Sequence, residues 1–75
     1  MTLLITRYRG ELVYIIPRNA QDVRAVAQVV VFRGANQTKL GFDGNQYCFV
    51  RSEVVRKISG TLERYIAEGR HSRKW

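Results

Sequence analysis

One cysteine and one histidine are all that this chain carries of the residues most often recruited to metal and redox chemistry. A lone Cys48 closes no internal disulfide, and with His71 alone there is nothing from which to build a zinc site or a nucleophilic triad. Acids are also few. Glu11, Asp22, Asp43, Glu53, Glu63 and Glu68 are scattered, and no Gly-rich phosphate loop, serine-centred elbow or pair of metal ligands accompanies them. These shortages argue against an enzyme and against a bound cofactor, and leave a binding module. No apolar run approaches the roughly 20 residues of a membrane span, and no basic-then-apolar leader opens the chain, so a soluble cytoplasmic protein is expected. Cys48 lies between Tyr47 and Phe49 and is read as a small buried hydrophobe in a reducing compartment; a reactive thiol is the alternative.

Positive charge is what the chain has in excess. Thirteen Lys+Arg stand against six Asp+Glu, a net charge of +7, with a pI near 10.3. Such an excess concerns partners more than fold, and nucleic acid is the commonest partner; an unrelated basic surface is the plain alternative. Seventy-five residues, 45% of them hydrophobic, suffice for one small globular domain. Chains of this size bury only about 60–65% of their unfolded surface. Oligomerisation is then the simplest way to enlarge the core, since neither a disulfide nor a metal is on hand.

Along the chain, Leu3 to Arg9 reads as a first strand, with Ile5, Arg7 and Arg9 on one face and Leu4, Thr6 and Tyr8 on the other. It is an end strand of the sequence, free to pair with a distant partner. Gly10-Glu11 supplies a tight turn, and Leu12 to Ile16 a second strand with little alternation, as when both faces are covered. Pro17 to Asp22 is a loop, because proline has no N–H for a ladder and Asn and Asp favour turns. Val23 to Phe32 reads as the longest strand, with a helical turn through Asn19 to Arg24 as the alternative. Arg33 to Asn36 is a hairpin connection, Gln37 to Phe42 a fourth strand, Asp43-Gly44-Asn45 a turn, and Gln46 to Arg51 a fifth strand.

At Ser52 the period changes to that of a helix. Ser52 is placed as its cap, Glu53 lies in the first turn, and Val54, Val55, Ile58, Leu62, Tyr65 and Ile66 form one apolar stripe. Gly60 weakens the helix by about 0.5–1 kcal/mol relative to alanine, and Gly69 stops it. Residues 1–69 are therefore expected to be a single domain and 70–75, ending in Trp75, a basic tail. The expected fold class is mainly β: five short, mostly antiparallel strands followed by a C-terminal helix.

Arg7 and Arg9 on the first strand and Arg51 at the junction of the fifth strand and the helix suit nucleic acid, because the guanidinium fork bonds phosphate or base edges and its face stacks. A strip of such arginines beside exposed backbone could read unpaired bases of RNA. Arg7 and Arg9 could equally be charges that protect a sheet edge from aggregation.

Several ordered motifs narrow the choice. Leu4-Ile5-Thr6-Arg7, Gly10-Glu11, Asn36-Gln37-Thr38-Lys39-Leu40-Gly41 and Val50-Arg51-Ser52-Glu53 continuing to Ile58 together span most of residues 3 to 58. In that order and spacing the chain resembles the carbon storage regulator family (CsrA/RsmA) of RNA-binding translational regulators. The resemblance implies an interleaved, strand-exchanged homodimer in which the first strand of one chain lies beside the fifth of the other. It implies two sites for RNA hairpin loops or leader regions carrying GGA, in messages or in small regulatory RNAs, with translation or message stability altered. It assigns RNA contacts to Ile5, Thr6 and Arg7 of the first strand, to Tyr47 through Phe49 and Val50 of the fifth, to Arg51, and to Lys39 as a phosphate contact. Tyr8 stands where the family has a second consecutive arginine, with Arg9 one step on, and Tyr8 becomes a candidate stacking residue. The loop at Pro17 to Asp22 is longer than usual. No membrane and no small-molecule substrate enter this reading; its rival is a family-like module that pairs with a related regulator without touching RNA, and a DNA-binding β-ribbon is a third option.

Overall fold

A computed structural model describes residues 2–30 and 37–72. The described residues form five strands and a helical C-terminal segment: β1 (Thr2–Arg7), β2 (Leu12–Pro17), β3 (Ala27–Val30), β4 (Thr38–Asp43) and β5 (Tyr47–Arg51), then α1 (Ser52–Ser59) and α2 (Leu62–Ala67). Among the described residues every strand pairing is antiparallel, so the fold is mainly β with a helical end, as the patterning implies. The expected Arg33 to Asn36 connection lies outside the described residues.

The strands form two sheets. β1 pairs with β4, and β2 is the centre of a three-stranded sheet in the order β3-β2-β5. The Gly10-Glu11 turn is real, closed by Glu11 N–H donating to the Tyr8 carbonyl at 3.1 Å, with Gly10 at φ 86°. It does not make a hairpin, because the strands on its two sides belong to different sheets.

Register fixes the layers. Across β1 and β4, Leu3 faces Phe42, Ile5 faces Leu40 and Arg7 faces Thr38 on one side; Leu4 faces Gly41 and Thr6 faces Lys39 on the other. In the larger sheet Tyr14, Ile16, Cys48 and Val50 share the side that meets the helices. Ile16, Ala20, Val50, Val55, Tyr65 and Ile66 make the main core there. The opposite side carries Val13, Phe49 and Tyr47. Val13 is fully buried, and Phe49 stacks on Phe42 of the ribbon with centroids 4.9 Å apart. The molecule is thus ribbon, sheet and helices in three layers. Each fully buried aliphatic such as Val13 or Ile16 contributes about 1.5–3 kcal/mol, more than any local propensity cost along the chain.

Four expectations are corrected. The long third strand begins late: Val23–Ala25 is a 3-10 turn, because the Asp22 side chain accepts a hydrogen bond from the Arg24 N–H at 2.9 Å and supplies a local partner in place of a ladder. The single helix is two. Gly60 at φ 83° and ψ −46° ends α1, and the Thr61 hydroxyl then caps α2 by accepting from Arg64 N–H at 3.2 Å. Ser52 is the first helical residue of α1, and Arg51 occupies the cap position without a side-chain capping bond. The proposed tail also starts as structure, since Arg70–Ser72 is a 3-10 turn with His71 buried and its Nε2 2.8 Å from the Ala20 carbonyl.

Candidate nucleic-acid interface

Arg7 was expected to protrude, and it does not. Its parity with Ile5 turns it inward, where only 4% of it is exposed. The first turn of α1 presents Glu53 to it: Nη2 donates to Oε1 at 2.6 Å and Nη1 to Oε2 at 3.1 Å, a bidentate pair. Nη1 also donates to the Leu12 carbonyl at 3.0 Å, and Glu11 approaches Nη2 at 3.0 Å. The Glu53 carboxyl is held below the usual glutamate range by its hydrogen bonds from Arg7, and the Arg7 guanidinium is correspondingly raised, again chiefly by Glu53. Nε of Arg7 is buried without a partner among the described residues. Arg7 therefore fastens the ribbon to the start of the helix.

Arg9 lies beyond the end of β1, in the turn, and is exposed. Tyr8, 52% exposed, donates its N–H to Glu11 Oε1 at 2.6 Å, which fixes the backbone that carries the ring. On the outer face of the ribbon, Thr6 and Lys39 sit directly across from each other beside Leu4, which is 66% exposed. Ile5 is on the inner face and buried, so of the first-strand candidates it is a core residue in this chain.

On β5 the candidates divide by parity. Val50 is buried in the core with the half-buried Cys48, while Tyr47, Phe49 and the exposed Arg51 line the other face. Tyr47 and Phe49 rings meet at 6.2 Å. Burial raises the Cys48 thiol pKa, partly opposed by the hydrogen bond from Tyr65 and the charge of Arg18. That is the behaviour of a packed thiol.

The arrangement brings Arg7 and Arg51 to one place, the first turn of α1, with Arg51 in solvent and Arg7 beneath Glu53. β1 and β5 do not pair within the chain. Each has one hydrogen-bonded neighbour among the described residues, leaving an edge of each unpaired. Leu3, Leu4 and Ile5 form one wall, and Cys48 to Arg51 with Val54 the other, of a mainly apolar cleft of about 350 Å³. The residues that strand reading missed are Glu53 and Glu11 as anchors of Arg7. Glu53 was legible as an acid in the first helical turn; its partner was not, because the pairing joins positions 46 apart.

Among the described residues no group of three or more His, Cys, Asp or Glu could hold a metal, and no helix is long and apolar enough to cross a membrane. No known family matches this chain, and no curated protein or solved structure matches it.

Proposed function

We propose that the protein is a cytoplasmic RNA-binding post-transcriptional regulator that takes GGA-containing hairpin loops or leader regions and works as a homodimer, as its motifs suggest. The observation that carries the reading is the composition of the exposed surface around β1 and β5. Lys39, Arg9 and Arg51 lie in solvent, and the rings of Tyr8 and Tyr47 are exposed, on a chain of net charge +7. Cations that capture phosphate, together with rings that stack on bases, are what single-stranded nucleic acid requires. The unpaired edges of β1 and β5 offer backbone groups to a second chain or to bases. It turns over no small molecule in this reading.

A gel shift with a GGA-loop hairpin and the same hairpin carrying CCA tests it. The GGA loop is expected to bind more tightly, and Arg51→Ala to weaken it by about 1–3 kcal/mol. Equal binding of both loops, or full retention by the variant, counts against the site.

One observation favours the rival reading, a module that pairs with a related regulator without reading RNA: the arginine carried over from the RNA-binding motif, Arg7, is already occupied by Glu53. A wild-type protein that shifts neither hairpin yet forms mixed dimers would establish it.

A further inference from the structure

The cleft between the ribbon and β5 has the walls of a small-molecule site. Leu3, Leu4 and Ile5 of β1, Cys48 and Val50 of β5 and Val54 of α1 bring apolar groups to it from three elements. Leu3 and Leu4 are 44% and 66% exposed, so the ribbon wall is apolar surface left uncovered within the chain. At about 350 Å³ the cleft stands at the lower end of the roughly 300–1,000 Å³ of ligand sites, too small for a folded element. It follows the edge of β5 that pairs with no strand among the described residues, and from Cys48 to Arg51 that edge runs about 10 Å at the 3.3 Å rise of a strand. Its two ends differ. Arg51 stands at one, exposed and without a side-chain hydrogen bond or ion pair among the described residues; Glu53, the nearest acid in the sequence, is taken up by Arg7. Arg18 stands at the other, with Nε on the Asn45 carbonyl at 3.0 Å and Nη1 on the His71 carbonyl at 3.2 Å. No acid lines the cleft.

Apolar walls on both sides, a cation at the exposed end and no acid along the length match one chemical class, a single-chain carboxylate. The hydrocarbon replaces water against Leu3, Leu4 and Val54, and the carboxylate accepts from the Arg51 fork in the bidentate geometry that arginine offers to planar anions. An extended ten-carbon chain is about 11 Å long at a C–C bond of about 1.5 Å, which matches the edge it lies along. A cleft walled by two strands admits one such chain and gives no purchase to a bilayer surface, so the free acid is the fitting source.

We infer that this cleft is a binding site for a free medium-chain fatty acid, with the carboxylate on Arg51 and the chain between β1 and β5. The site does not depend on RNA binding, and the GGA-hairpin gel shift is read separately on the same preparation. The test is isothermal titration of the full chain with decanoate below its micelle concentration, then with octanoate and with 1-decanol. Octanoate should bind about fifteenfold more weakly than decanoate, at about fourfold for each methylene lost. Arg51→Ala should bind decanoate about tenfold more weakly, the size of one lost charged hydrogen bond. 1-Decanol, which has no charge to place, should bind that variant and the wild type alike. Leu4→Ser, at an exposed position of the wall, should weaken all three ligands, and Arg64→Ala, an exposed cation of α2 outside the cleft, should bind as the wild type does. Affinity that is independent of chain length, an equal loss in Arg64→Ala, or uptake only above the micelle concentration overturns the site. A wild type that forms a stable dimer and takes up no decanoate also overturns it, and assigns the cleft to a second chain.

Discussion

Arg7 sets the chemistry of the chain at the scale of single residues. A guanidinium 4% exposed, bonded to two acids and a carbonyl, stabilises the fold only while its partners are charged. The folded Glu53 carboxyl titrates below its ordinary 4.5, so its contribution is complete above pH 4.5 and disappears as pH falls through the lower folded value. Glu53→Gln should flatten the acid side of a melting-temperature profile and lower stability near neutral pH by about 1–3 kcal/mol, the cost of a lost charged hydrogen bond. In the same variant Arg7 loses its strongest competitor for phosphate, so RNA affinity should rise while stability falls. A purely structural Glu53 would lower both, and isothermal titration beside a thermal melt separates the cases.

Tyr65 works at the other end of the pH scale. Burial, then the neighbouring Cys48, push its hydroxyl up to about 12 from the ordinary 10.0. A raised value means stability that is intact below pH 10 and is lost as pH climbs toward 12, by about 2–3 kcal/mol in all. Tyr65→Phe should remove that alkaline slope, read by circular dichroism between pH 9 and about 12, even though it also loses the bond to Cys48. At this scale the sequence shows which face Arg7 shares with Ile5. It does not show which face is inside, because β1 has apolar residues on both, and Leu3 and Leu4, one from each face, are both left exposed.

Among the elements, four of the five strands are legible within a residue or two at most ends, since β-branched runs bounded by Gly, Pro and Asp are strong local signals. What was not legible came from side chains that outbid propensity. Asp22 rolls Val23–Ala25 into a 3-10 turn although the valines here and just beyond favour extension, and Thr61 restarts the helix where Gly60 had ended it. The apolar stripe from Val54 to Ile66 survives the break, because Ser59 on α1 donates to Glu68 past the end of α2 and keeps both segments on the core. Gly60 is indispensable at its φ of 83°, with open space where a Cβ would go, so the obstacle to a side chain is the backbone conformation itself. Gly60→Ala should cost about 1–2 kcal/mol in urea unfolding, against the slight gain that an alanine gives inside a helix. An unchanged midpoint would mean that the two helices can fuse.

For the whole molecule, charge and unpaired edges act together. A chain of net charge +7 with cations at Arg9, Lys39 and Arg51 should bind RNA with a logarithmic salt slope of about −0.7 for each phosphate neutralised. Filter binding across a salt series should therefore give a slope near −2 if those three cations carry the capture, and Lys39→Ala should reduce its magnitude by about 0.7. A flat series would remove the electrostatic basis of the reading. The candidate site was half legible. Arg51, Tyr47, Lys39 and Thr6 are exposed or partly exposed as the strand pattern suggests, while Ile5, Arg7 and Val50 are claimed by the core. Burial depends on partners distant in the chain, such as Glu53 for Arg7, and no local pattern records them.

The ribbon has a consequence for synthesis. Thr2 pairs with Asp43 and Arg7 with Thr38, so β1 leaves the ribosome before β4 and must wait on the order of seconds for its partner to be made. During that interval Leu3, Leu4 and Ile5 are an uncovered sticky end, available to whatever strand edge is nearest. Two chains emerging from neighbouring ribosomes on one message would meet in that state, each offering the other a waiting strand before its own has arrived.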